Sequence, residues 1–238
     1  LDINGFNYIS GHTVQLDLVF RDIINILNRI RKAKNSGMIS KGQSILDPEL
    51  QPRLISFDEI NNLNYKLMEC ENLFVIDRSG DITESNLNHP RHNALVKNFK
   101  HIDTVPVSKS ESITYCWFDV AHQAHIIVAR LTMMTRILEI PVNNILIQDL
   151  VKKGLSYLRF LDYVNFEEYH NNCVTHLHIM IDILGRCCIY EEDQKLAAKF
   201  LGFLSRSGLA SAEHNLEKLQ KVWNNDISSD NEEDILTW

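Results

Sequence analysis

Apolar residues in the first part of the chain fall at Leu16, Val19, Ile23, Leu27 and Ile30. This three-and-four spacing lays one stripe along a helix and predicts a helix over residues 13–34. The segment ends in Arg29, Arg31, Lys32 and Lys34, with Gly37 beyond, a basic end that suits the negative pole of a helix dipole. Residues 36–55 carry Gly37, Gly42, Pro48 and Pro52 and read as a loop. Ser56-Phe57-Asp58-Glu59 has the form of a capping box, and Ile60, Leu63, Leu67, Cys70 and Phe74 carry an amphipathic helix to about residue 76. Residues 77–108 lose the apolar period and gain Gly80, Asn86, Asn88, His89, Pro90 and Pro106. They predict a long, mobile connection with one turn near residues 94–99, and a seam between two halves.

From Ser110 to Ile140 the stripe Ile113, Trp117, Val120, Ala124, Ile127, Leu131, Met134, Leu138 repeats at intervals of four and three. Ile126, Val128, Ala129 and Met133 lie off it, so this segment predicts a long helix, apolar on more than one face, through the middle of the core and stopped by Pro141. Further helices are predicted over residues 144–161, then from a cap at Asn165-Phe166-Glu167-Glu168 to Gly185, over 191–206 and over 211–223. With no alternating strand runs, the chain reads as all-α: one compact helical domain of about seven or more helices over residues 1–224, followed by a tail over 225–238.

Composition narrows the class. At 238 residues, 45% hydrophobic and 23% charged, the chain is neither disordered nor collagen-like nor a disulfide scaffold, and a body of this size can bury about 70% of its surface. No run of eighteen apolar residues occurs, and the first twenty residues include Asp2, Asn4, Asn7, His12, Gln15 and Asp17, which predicts no membrane span, no secretory signal and an intracellular setting. A start at Leu1 suggests a fragment of something longer. Cys70, Cys116, Cys173, Cys187 and Cys188 are odd in number and lack a CxxC pair, so reduced, buried thiols are the reading. The net charge of −7 is uneven: Asp226, Asp230, Glu232, Glu233 and Asp234 sit in the tail, leaving 26 acids against 24 bases in the body. No basic footprint for nucleic acid is present, so direct nucleic-acid contact by this chain is not expected.

Candidate chemistry is sparse. His122 and His125 lie three apart and share a helix face, whereas His176 and His178, two apart, do not. Without HExxH or a cysteine pair no metal site is read, and the absence of GxSxG, GxGxxG and GxxxxGK leaves no catalytic residue to nominate. Trp117, His125, Met133, Met134, Tyr157 and Met180 could line a small-molecule cavity between helices, although such residues more often serve simply as core. In the tail, Ile227, Ile235, Leu236 and Trp238 are mixed with carboxylates, the composition of acidic activation segments that offer apolar groups to a coactivator; the plainer reading is a solvated terminus.

The segment from Ala129-Arg130-Leu131 through Glu139-Ile140-Pro141, then Gln148-Asp149-Leu150-Val151-Lys152-Lys153-Gly154-Leu155, then Gly185-Arg186-Cys187-Cys188 before the acidic Glu191-Glu192-Asp193, and finally Ala212 to Trp223, resembles the C-terminal regulatory domain of fungal binuclear zinc-cluster transcription factors. Gly11–Ala33 and Ile60–Leu67 resemble that family's first two helices, so the resemblance covers about residues 5–224; Arg186-Cys187-Cys188 departs from the small or acidic pair of a typical member. The resemblance implies a nuclear regulator of RNA polymerase II transcription, cytoplasmic before activation in some cases. It would answer to a sterol, a metabolic intermediate or a protein partner, with coactivator or repressor proteins and a second copy of itself as partners. It also implies that zinc belongs to a DNA-binding region outside this chain, leaving no cofactor here. The rival reading is a helical scaffold or subunit-interaction domain without a ligand.

Overall fold

The computed structural model of the protein describes residues 6–7, 10–40, 42–50, 54–72, 102–165 and 167–224. Among these, two-residue strands β1 (Phe6–Asn7) and β2 (His12–Thr13) pair antiparallel and lead into α1 (Val14–Asn35) and α2 (Phe57–Asn72). Strands β3 (Ile102–Pro106) and β4 (Ser112–Cys116) form a second hairpin, followed by α3 (Trp117–Thr132), α4 (Ile145–Ser156), α5 (His178–Arg186), α6 (Glu191–Arg206) and α7 (Ser211–Trp223). The architecture is largely helical, as the periodicity predicts. The connection and seam expected over 77–108 fall mostly outside the described residues.

The central helix is α3, in which Trp117 to Ala129 are all buried. One side of it, through Trp117, Phe118, Val120, Ala124, Ile127, Val128 and Leu131, belongs to an apolar cluster shared with β3–β4 and α4–α7. Ile126 and Ala129, followed by Met133 and Ile137, face a second cluster built from α1, α2 and the 39–55 loop. Three of the four residues off the main stripe therefore serve the second cluster, and the helix is apolar all round because it is the wall between two cores.

The segment over 110–116 does not extend this helix. Ser112–Cys116 is a strand paired to Ile102–Pro106 in the register Asp103↔Tyr115, Thr104↔Thr114, Val105↔Ile113. Ile113, Tyr115 and Trp117 satisfy an alternating period as well as Ile113 and Trp117 satisfy a helical one, and the β-branched and aromatic run Ile113-Thr114-Tyr115 has a partner strand to bond. At its other end α3 widens into a π turn, Met133–Ile137, in which the Leu138 amide donates to the Met133 carbonyl at 2.9 Å and the Thr135 hydroxyl to the Leu131 carbonyl at 2.7 Å. The helix predicted over 144–161 is likewise split into α4 and a 3-10 turn, Arg159–Asp162. The Asn165 pattern caps a turn, its carbonyl accepting from Glu168 and Tyr169 amides, and helix resumes only after a 3-10 segment, Asn172–Leu177.

The capping box is formed as read: the Glu59 amide donates to Ser56 Oγ at 3.1 Å and the Ser56 amide to Glu59 Oε2 at 2.9 Å. Gly154 and Gly185 mark close helix crossings, since a Cβ at Gly154 would stand 2.2 Å from Leu184 Cδ1 and one at Gly185 2.5 Å from Leu219 Cδ1.

Candidate functional site

The six residues proposed for a ligand cavity do not converge. Trp117, Tyr157 and Met180 belong to the aromatic-rich cluster, where Trp117 stands edge-on to Tyr115 (5.1 Å between ring centroids) and to Phe160 (5.4 Å). Trp117 is completely buried and its Nε1 has no hydrogen-bond partner. Met180 places its sulfur 3.2 Å from where a Gly154 Cβ would be, so it fills the α4–α5 crossing. Met134 packs half-buried against the same cluster, whereas Met133, one residue and about 100° around the helix, faces the second cluster. His125, on α3, is buried against the His12 and Phe20 rings. The tail residues Ile227, Ile235, Leu236 and Trp238 lie outside the described residues.

His125 is one member of a buried histidine group that the linear sequence does not reveal. The β1–β2 hairpin lays His12 against it, ring centroids 4.5 Å apart, with Phe20 of α1 against both. His125 Nδ1 donates to the Ala121 carbonyl at 2.7 Å. One turn earlier, His122 Nδ1 accepts from the Thr13 amide at 3.4 Å while its Nε2 donates to the Cys70 carbonyl at 3.2 Å, joining the hairpin, α3 and the end of α2 through one ring. His176 stacks on Phe118 at 6.1 Å. Gly11, at φ +76°, lets the hairpin in: a Cβ there would meet Ala121 Cβ and the His176 ring at 3.1 Å. Burial holds His125 at a pKa of about 3, with His12, His176 and His178 adding like-charge repulsion, and burial lowers His176 and His178 below the ordinary histidine range. Among the described residues, no three or more His, Cys, Asp or Glu side chains are placed to hold a metal ion.

A second polar junction ties β3 to the segment before α5. Tyr169 Oη donates to Asp103 Oδ2 at 2.9 Å and Asn171 Nδ2 to the same oxygen at 3.2 Å, while the Cys173 amide caps onto Asn171 Oδ1. Burial and the neighbouring Asp103 push the Tyr169 hydroxyl well up and the Cys173 thiol to about 12. Burial also raises Cys187 to about 11 and Cys188 further. These thiols are buried and protonated, the opposite of what a nucleophile needs. A third feature is a groove of about 360 Å³ between α1 and α2, floored by Ile26 and Leu63 and closed by the ion pairs Asp22–Lys66 and Arg29–Glu59, each 2.7 Å.

Taken together these sites describe a helical module whose elements are tied to one another by buried polar joints. The model of the fungal specific transcription factor domain matches residues 2–238, and the chain belongs to that family. It is a transcription-factor domain and not an enzyme. It is 28% identical over 251 residues to the lysine biosynthesis regulatory protein LYS14 of Saccharomyces cerevisiae (strain ATCC 204508 / S288c), an alignment covering 99% of this chain and 31% of that protein. The chain thus spans less than a third of that relative's length. No solved structure matches it.

Proposed function

We propose that this chain is the regulatory domain of a nuclear zinc-cluster transcription factor, controlling transcription by RNA polymerase II in response to a small molecule and acting through its acidic tail on a coactivator. Membership of the transcription-factor domain family over residues 2–238 carries this reading. The name of the LYS14 relative favours a metabolic intermediate over a sterol as effector. The tail supports the activation role by composition, because the carboxylates from Asp226 to Asp234 would keep Ile235, Leu236 and Trp238 in water and steer them to a basic partner groove.

A fusion of this chain to a foreign DNA-binding domain in a fungal host tests the proposal. The intact fusion should switch on a reporter, and replacing Ile235, Leu236 and Trp238 together by Ala should abolish the signal without shifting the thermal midpoint. A silent intact fusion would favour the scaffold reading, and full activity in the triple variant would return the tail to a solvated terminus.

A further inference from the structure

The histidine group sits where the β1–β2 hairpin meets α3, and its hydrogen bonds fix its protonation state. His122 accepts from the Thr13 amide at Nδ1 and donates to the Cys70 carbonyl at Nε2, the pattern of a neutral ring protonated at Nε2. A proton added at Nδ1 would set an N–H against the Thr13 N–H, so that ring gains charge only by giving up the hairpin. Beside it, His125 donates from Nδ1 to Ala121 and faces the His12 ring on the side the hairpin covers. The seat is also under-bonded, for Ser10 Oγ, Thr13 Oγ1 and His176 Nδ1 are buried without hydrogen-bond partners. Such contacts belong to the low-stability end of a fold, where local opening precedes global unfolding.

We propose that the β1–β2 hairpin is a proton-released clasp: when the histidines beneath it take up protons, the hairpin leaves α3 while α6 and α7 stay folded. The charged and titratable groups around the seat set its direction. From the hairpin comes His12, whose Nδ1 lies 3.5 Å from the α1 carboxylate of Asp17. From α3 come Asp119, His122 and His125; from the 3-10 segment His176; from α5 His178 with Asp182, whose charge favours its protonated form. From α2 come Cys70 and its flanking Glu69 and Glu71. Asp182 offsets charge on His178, whereas His125 faces His12, His176 and His178, which repel it once charged.

The sign follows from the seated state of His125. Its proton affinity is depressed from the ordinary 6.5 to about 3 when seated, so the released form binds the proton. Seating is therefore insensitive to pH above 6.5 and weakens as pH falls below it.

Hydrogen–deuterium exchange of the 238-residue chain between pH 7.5 and 5.0, corrected for intrinsic exchange, tests this. Protection of peptides from residues 10–20 should hold above pH 6.5 and fall about fivefold between pH 6.5 and 5.5 for each proton taken up on opening, while α6 and α7 peptides keep theirs. His125→Gln, which keeps a donor for Ala121 but cannot charge, should flatten that fall, and His176→Asn should do so if the first variant does not fold. In parallel, long-range nitrogen–proton NMR of histidine-labelled protein should show His122 as the neutral Nε2–H tautomer at pH 7.5 and as imidazolium in step with hairpin exchange. Constant protection down to pH 5.0, joint loss with α6, or a wild-type slope in the folded His variants would overturn the clasp.

Discussion

The two apolar clusters that share α3 are made of different side chains. The one formed with α4–α7 buries Tyr115, Trp117, Phe118, Tyr157, Phe160, Phe200 and Phe203, and its helices approach over Gly154 and Gly185. Among the described residues, the one formed with α1 and α2 fully buries no aromatic ring and has only the partly buried Phe20 packed against it. Ile, Leu and Val dominate it, part of its lining comes from Ile39, Ile45, Leu50, Leu54 and Ile55 between α1 and α2, and ion pairs bind its helices from outside. Large rings with few rotamers, seated over glycines, specify one geometry on the first side. On the second, aliphatic side chains are fitted by a loop that can adjust, and the specificity falls to caps and charges at the rim. The loop itself is pinned to the exit of α3: Glu139, at φ +49°, accepts from the Ser44 hydroxyl and, at 3.3 Å, from the Ile45 amide. A non-glycine residue in that left-handed conformation is held there by such bonds.

This difference can be broken first in the packing on either side of α3, at Leu131 of α3 and Leu67 of α2. Leu131 on the aromatic side and Leu67 on the aliphatic side are both fully buried. Each change to Ala should cost about 2–5 kcal/mol, the lost transfer energy plus a cavity term. Among the described residues, the buried Trp and Tyr rings (Tyr115, Trp117 and Tyr157) all lie in one cluster, so near-ultraviolet circular dichroism reports chiefly on that cluster while the far-ultraviolet signal reports both. Because Ile126 and Ala129 back directly onto Ile127 and Val128, the denaturant midpoints of the two signals should coincide in the wild type and move together in Leu67→Ala. A near-ultraviolet midpoint left in place by Leu67→Ala would make the clusters independent folding units.

The sequence already carries much of this division, and its failures are local. Helices α1, α6 and α7 end within a residue or two of their predicted limits, because caps, glycines and the apolar period agree there. The β3–β4 hairpin is hidden because five residues are too few to separate a period of two from one of 3.6, and because the partner strand lies in a region with no apolar period at all. For the candidate site the limit is different. Trp117, Tyr157 and Met180 meet because α3, the end of α4 and α5 pack together, whereas Met133 already lay off the α3 stripe that holds Trp117 and Met134, a mismatch readable from spacing alone. The His12–His125 contact joins residues 113 positions apart through a glycine turn, and no local pattern announces it.

The rim of the aliphatic side offers a smaller test. The start of α2 is closed by two reciprocal bonds between Ser56 and Glu59, while α6 begins after Tyr190 with no side-chain cap and relies on Glu191, Glu192 and Asp193 against the helix dipole. Ser56→Ala should therefore cost about 1 kcal/mol in urea titrations. If the aliphatic cluster tolerates adjustment, the loss should stay near that value. A cost above about 2 kcal/mol would show that the entry angle of α2, and not just its first turn, depends on the box.

The smallest effect expected is at the Arg29–Glu59 pair, which joins α1 to α2 across 2.7 Å with both side chains more than 40% exposed. Glu59 sits below the ordinary carboxylate range chiefly through the Ser56 amide and then through Arg29. Its stabilisation is accordingly present above the unfolded carboxyl pKa and lost as pH falls through the lower folded value. Solvent screening reduces what such a pair contributes, so a double-mutant cycle with Arg29→Ala and Glu59→Gln should give about 0.2–1 kcal/mol at low salt and pH 7. At 1 M salt, where the screening length is about 3 Å, the coupling should vanish. Because Glu59→Gln keeps an acceptor for the Ser56 amide, the cycle separates the ion pair from the cap. A coupling that survives high salt would mean that Arg29 works through packing of its stem over Ile26 and Leu63 in the α1–α2 groove. In that event the aliphatic side, too, owes its geometry to side-chain fit, and the contrast with the aromatic side narrows to the number of rings.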